Sequence, residues 1–154
     1  MALEIERKFL VTGNDWQAAA GVQFSQGYLN RDKNRTVRVR VAGNQGFLTI
    51  KGATSGATRT EFEYEIPVSD AESLLKMCEG PIIQKLRRNI DYKGFKWEVD
   101  EFQGDNLGLV VAEIELSDEN QPFEKPSWIG KEVTYDARYF NSNLAQHPFI
   151  TWGV

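Results

Sequence analysis

Leu3-Glu4-Ile5-Glu6-Arg7-Lys8-Phe9-Leu10-Val11 is the stretch on which the fold of this chain turns. Its composition predicts a strand over 3–11, and a strand sends alternate side chains to opposite faces. Glu4, Glu6 and Lys8 therefore share one face, and Ile5 and Phe9 lie on the other. Two carboxylates side by side on a sheet repel each other unless a cation sits between them. The pattern then recurs in nearly every later strand.

Working outward, further strands are predicted at about 23–30, 35–42, 46–52, 59–67, 82–92, 95–102 and 109–117. Arg31-Asp32-Lys33-Asn34, Gly43-Asn44-Gln45-Gly46 and Tyr92-Lys93-Gly94 have the make-up of antiparallel hairpin turns. Asp15 to Ala20 reads as a helix with Asn14 as its cap. Ser69 to Cys78 reads as another, with Ser69 and Glu72 in capping-box spacing and Gly80 as its stop. A third helix is expected at 136–146, with Tyr139, Phe140 and Leu144 on one face. The expected fold is mainly β (α+β), a single domain over 1–154. Its centre is an eight-stranded antiparallel closed barrel with flanking helices, because closure removes exposed strand edges.

Composition narrows the function. The chain has 154 residues, is 41% hydrophobic and 26% charged, and carries a net charge of −4, which disfavours non-specific nucleic-acid binding. A lone cysteine, Cys78, permits no internal disulfide, and a lone histidine, His147, rules out a Cys/His zinc site. There is no Gly-rich phosphate loop, so phosphate chemistry would have to come from side chains. The charged N-terminus and the absence of a long apolar run point to a cytoplasmic protein with no membrane partner.

One parity of the strands is almost wholly ionic. It runs Glu4, Glu6, Lys8; Arg38, Arg40; Thr49, Lys51; Glu61, Glu63, Glu65; Lys85, Arg87; Glu98, Asp100; Glu113, Glu115. The opposite parity is apolar, broken only by Arg7 and Arg88. A sheet with one wet face accounts for any single strand. For the whole set, acids fill the fifth, seventh and eighth strands and bases the third and sixth. Blocks of one sign need counter-charges. Either the ionic face meets water, or it lines the barrel, where a polyanion accompanied by divalent cations would neutralise both signs. In the second arrangement the apolar parity lies outside, covered by the helices.

Glu4-Ile5-Glu6-Arg7-Lys8 resembles the ExExK signature of the CYTH, or triphosphate tunnel metalloenzyme, superfamily. The likeness extends through Gln26-Gly27-Tyr28-Leu29, Arg38/Arg40, Thr49-Ile50-Lys51-Gly52, Arg59 to Ile66, Lys85/Arg87, Glu98-Val99-Asp100 and Glu113-Ile114-Glu115. Small bacterial members similar to inorganic triphosphatases are nearest in pattern. The resemblance implies an eight-stranded tunnel with a charged lumen and a C-terminal plug helix, here 136–146. It implies Mg²⁺ or Mn²⁺, with Glu4, Glu6 and Glu115 as ligands and Glu113 close by. Lys8, Arg38, Arg40, Lys51, Lys85 and Arg87 would grip a triphosphate, and Arg138 and Tyr139 would stand in the plug. Glu61, Glu63 and Asp100, with Lys8, would serve catalysis by holding a second ion or orienting water.

The implied reaction is metal-dependent hydrolysis of a small-molecule triphosphate, inorganic triphosphate first. Adenylate cyclase or thiamine triphosphatase activity is the alternative, and a non-catalytic polyanion-binding barrel is the alternative of another class. A homodimer is left open, and no nucleic-acid partner is expected.

Overall fold

The computed structural model describes residues 3–152. Among these, nine strands form one sheet: β1 (Leu3–Val11), β2 (Gly21–Asn30), β3 (Arg35–Ala42), β4 (Gln45–Gly52), β5 (Thr58–Ile66), β6 (Glu79–Tyr92), β7 (Phe95–Phe102), β8 (Val110–Glu115) and β9 (Ile129–Glu132). Their order is β5-β4-β3-β2-β6-β7-β8-β1-β9, and a further β5–β1 pairing closes the first eight into an antiparallel barrel. The closed eight-stranded fold expected from the sequence is therefore present, with one strand added.

That ninth strand has a local cause. β5 pairs with β1 only over Leu3–Ile5, leaving the Phe9–Val11 edge unpaired on that side, and β9 occupies it across a register shift. Four residues reading Ile-Gly-Lys-Glu give no alternation by which to predict it.

Three helical expectations need correction. Asp15–Ala18 is one 3-10 turn, and Asn14 makes no side-chain cap bond. The next helix is α1 (Val68–Leu75); it follows Pro67 without a capping box, and Gly80 belongs to β6. The segment 136–146 is divided into a 3-10 turn, Ala137–Tyr139, and α2 (Asn141–Gln146), because Phe140 is extended at φ −69°, ψ 134°. No helix among the described residues is long and apolar enough to cross a membrane.

On β1, β7 and β8 the apolar parity forms the principal core on the outside of the barrel, whereas Ile50, Phe62 and Tyr64 of β4 and β5 stay exposed, against the expectation that helices cover this face throughout. Phe9, Trp97, Val99, Ala112 and Ile114 are fully buried beneath Trp16, Trp128 and Phe123. The cover is thus partly helical, from the Asp15–Ala18 turn, and partly the loop before β9. Trp97 packs edge-on against Phe123 at 5.7 Å and Trp128 at 6.0 Å, the geometry aromatic rings favour. Elsewhere α1 lies so close to β4 that a Cβ on Gly46 would stand 2.8 Å from Ala71 Cβ.

Arg7 and Arg88, which break the apolar register, tie these covers down. Arg7 donates to both oxygens of Glu132 on β9 at 2.8 and 2.6 Å and lies over the Phe123 ring. Arg88 pairs with Glu101 at 2.9 Å, donates to the Ala19 carbonyl and lies over Trp16.

Candidate active site in the barrel lumen

The ionic parity lines the lumen. Strand register decides who meets whom: Glu6 lies opposite Glu115 and Lys8 opposite Glu113 across β1 and β8, while Arg87 faces Asp100 across β6 and β7. On the other wall Arg38 faces Thr49, which faces Glu63, and Lys51 faces Glu61. At one end the same parity turns apolar, with Leu10, Ile83, Phe102 and Val111 packed around Leu144 and Ala145 of α2. The C-terminal segment stops that end of the tunnel.

One cavity of about 170 Å³ is walled by Glu4, Glu6, Arg38, Arg40, Lys51, Glu61, Glu63, Arg87, Glu98, Glu113 and Glu115, with Asn141 from α2. A single water needs only about 10–15 Å³, so a polyatomic anion has room. An adjoining pocket shares Glu4, Glu6, Arg38, Lys51 and Asn141 and adds Lys8, Tyr28, Thr36, Arg59 and Phe140.

Within this lumen the cations are mostly committed to acids. Lys51 Nζ donates to both oxygens of Glu4 (2.9 and 3.1 Å) and lies 3.4 Å from Glu61. Arg38 Nη2 donates to Thr49 Oγ1 at 3.3 Å, and that hydroxyl donates to Glu63 at 3.1 Å. Lys8 Nζ donates to the Tyr139 carbonyl at 3.1 Å and stands 3.5 Å from Glu113. Deepest of all, Asp100 takes Lys85 Nζ at 2.7 Å and Arg87 Nε and Nη2 at 2.7 and 2.8 Å, while Arg87 Nη1 reaches Glu98 at 3.1 Å.

The ionisation of these groups follows from that geometry. Burial works to raise the Asp100 carboxyl, but Arg87 and Lys85 outweigh it and hold it far below the ordinary range. Burial, with Arg87 and Arg40 close by, brings the Lys85 ammonium down to about 7 despite Asp100. Only lysine in this group of three cations can readily release a proton. Glu113 is likewise pulled down to about 2, burial being overcome by Lys8 and Arg87.

The carboxyls at the other side behave oppositely. Burial, then Glu113 and Glu4, push Glu6 well above the carboxylate range; burial raises Glu4 despite Lys51, and burial with Glu4 and Glu98 raises Glu115. Among the described residues Glu6 has no cation within ion-pair distance. Three acids with one ammonium, Lys51, among them leave negative charge in excess, and such an all-oxygen group suits a hard divalent cation. No three of the described acids already stand as a metal cage, since Glu4 is turned to Lys51.

A family model described as the CYTH domain matches residues 2–147 of this chain. The chain belongs to the CYTH family. This CYTH protein is 54% identical over 151 residues to a protein of Acetivibrio thermocellus named inorganic triphosphatase, spanning 97% of each chain. A Nitrosomonas europaea protein of the same name is 37% identical over 146 residues, 92% of this chain and 96% of that one. The crystal structure of an inorganic triphosphatase superposes with a TM-score of 0.68 at 36% identity, covering 94% of this chain and 95% of that one. Triphosphatases of the CYTH family are metal-dependent in general.

Most of the site residues expected from the sequence of this CYTH chain meet at one place. Lys8 faces the adjoining pocket, and Lys85 and Asp100 form the buried layer behind Arg87. Arg138 stands apart, largely exposed, paired with Asp136 at 2.6 Å and lying against Tyr139 and Trp152. Sequence reasoning missed the neutral residues of the lumen: Gln26 and Tyr28 on β2, and Phe140, Asn141 and Ser142 at the plug. Gln26 and Tyr28 share one strand parity within a quoted motif, a signal that an ionic pattern passes over. Nothing in the sequence marks Asn141.

Proposed function

We propose that this chain hydrolyses inorganic triphosphate to diphosphate and phosphate, using Mg²⁺ or Mn²⁺. One observation carries the reading: Arg38, Arg40, Lys51 and Arg87 wall the same cavity as Glu4, Glu6, Glu113 and Glu115. A compact polyanion bound with hard cations is the ligand class that neutralises both sets together. Every described residue of that cavity wall is charged or an amide, so an adenine or thiamine ring would find apolar surface only beyond it, at Tyr28 and Phe140 of the adjoining pocket. The name carried by the Acetivibrio and Nitrosomonas relatives supports the same substrate.

Glu4, Glu6 and Glu115, with Glu113 close by, would hold the divalent cation, which when bound supplies charge neutralisation and a more acidic water. Arg38 and Arg40 offer planar forks to phosphate oxygens. An incoming phosphate oxygen competes with Glu4 and Glu61 for the Lys51 ammonium. Asp100 would align Arg87, with Lys85 buried behind it, so that the guanidinium is oriented where charge builds on the transferring and leaving oxygens. Glu61 and Glu63, more exposed than the deep acids, would take the proton of an attacking water. Lys8 offers its ammonium from the plugged side, and none of these roles needs Arg138.

Phosphate release from triphosphate, ATP and thiamine triphosphate, with Mg²⁺, Mn²⁺ or EDTA, tests the proposal. Release is expected to be fastest from triphosphate and absent in EDTA. Faster release from ATP or thiamine triphosphate would overturn the substrate, and tight binding without turnover would make this a non-catalytic barrel.

A further inference from the structure

Arg40 differs from the other cations of the main cavity in what holds it. Arg38, Lys51 and Arg87 each have a carboxylate within ion-pair distance. Among the described residues Arg40 has none. Its Nε donates to Gln26 Oε1 at 2.9 Å, and its guanidinium lies 4.7 Å from the centre of the Phe24 ring. Both partners are neutral.

Gln26 is fully buried, and its other amide atom, Nε2, has no hydrogen-bond partner. A buried donor left unpaired is costly. A glutamate at this position would keep the bond to Arg40 Nε, strengthen it by charge, and leave no donor orphaned. What an amide offers and a carboxylate does not is orientation without neutralisation.

We infer that Gln26 is a positioning residue that aims the Arg40 guanidinium into the lumen while leaving its full positive charge for the anion. Phe24 completes the holder, its ring face also lying 4.8 Å from the Arg87 guanidinium. Arg38, Lys51 and Arg87 each share their charge with an acid, whereas the charge of Arg40 is undivided when the substrate arrives. The inference rests on the triphosphate reading for the identity of the anion, but not on turnover.

The test compares wild type, Gln26→Glu and Gln26→Met. Calorimetry with inorganic triphosphate in EDTA reads binding, phosphate release with Mg²⁺ reads KM and kcat, and thermal melting reads stability. Gln26→Glu is expected to melt at or above the wild-type temperature yet bind triphosphate at least tenfold more weakly, with KM raised in step. Gln26→Met keeps the charge but frees its direction, and is expected to lose less affinity while melting lower. A purely structural glutamine gives the reverse order, with the isosteric Gln26→Glu the milder change. Equal affinity of wild type and Gln26→Glu, or a greater loss in Gln26→Met, overturns the inference whatever the turnover. A wild type that binds triphosphate and releases no phosphate overturns the hydrolase reading and leaves this one standing.

Discussion

Asp100→Asn removes the one anion among the described residues that two cations share. Asp100 is 2% exposed and Lys85 not at all, and three bonds of 2.7–2.8 Å join the carboxylate to Lys85 and Arg87. An amide of the same shape leaves Lys85 without its counter-ion and Arg87 with Glu98 alone, a change that costs about 3–5 kcal/mol when one partner of a buried pair is lost. At about 2–4 °C per kcal/mol for a chain of this size, the melting temperature is expected to fall by roughly 6–20 °C. The pH dependence has a definite sign. Asp100 titrates lower folded than unfolded, so its stabilisation is present above the unfolded pKa and is lost as acid approaches the folded one. Lys85 titrates near 7 when folded and near 10.5 when unfolded, so this group adds stability as pH rises through that window. Thermal melts of wild type and Asp100→Asn from pH 5 to 10 measure both effects. The deficit of the variant should shrink above pH 7, where Lys85 sheds the charge that Asp100 had balanced. A variant melting within a degree or two of wild type at pH 6 refutes the shared counter-ion.

Glu6→Gln is expected to abolish metal-dependent phosphate release while melting slightly higher than wild type in EDTA at neutral pH. Its carboxyl is raised by burial, Glu113 and Glu4, and that repulsion grows as pH rises; loss of stability or retained turnover contradicts the assignment. Arg7→Ala breaks a part-buried pair worth about 1 kcal/mol or less. It should speed hydrogen exchange of the Val133 amide, bonded to the Lys8 carbonyl at 2.8 Å, and leave the β6–β7 amides protected. Equal exchange at Val133 would mean that Arg7 does not hold β9.

What was legible in the sequence was whatever a strand's own period determines. Thr58–Ile66 alternates Glu61 and Glu63 with Phe62 and Tyr64, so both the strand and its two cavity-lining acids follow from local order, while Glu65 at the strand's end is exposed beside Gln45. β9 is a strand only because β1 outruns β5 and leaves an edge to fill. The break at Phe140 is likewise tertiary: the Tyr139 carbonyl accepts from Lys8 Nζ and is turned to the tunnel. That break sends Arg138 outward and brings Phe140, Asn141 and Ser142 to the cavity. Arg7 and Arg88 looked like errors in an apolar face because their partners, Glu132 and the Ala19 carbonyl, lie on segments whose docking no periodicity encodes.

A barrel that fills its lumen with charge must find its hydrophobic core elsewhere, and here the core sits back to back with the site. Trp97 and Val99, fully buried outside, alternate with Glu98 and Asp100 inside; Ala112 and Ile114 alternate with Glu113 and Glu115. Rotamers locked on one face of a strand fix its backbone, and the backbone fixes where the carboxylates of the other face stand. Phosphoryl transfer depends on positioning and on charge arranged in advance, with little covalent work for side chains. Tight outer packing therefore has a catalytic consequence in this fold. The covers that bury Trp97 (the Asp15–Ala18 turn, Phe123 and Trp128) act on the lumen without touching it. Their pins, Arg88 to the Ala19 carbonyl and Arg7 to Glu132, follow directly after Arg87 and directly before Lys8, so one stretch of backbone carries both the pin and the ligand-facing cation.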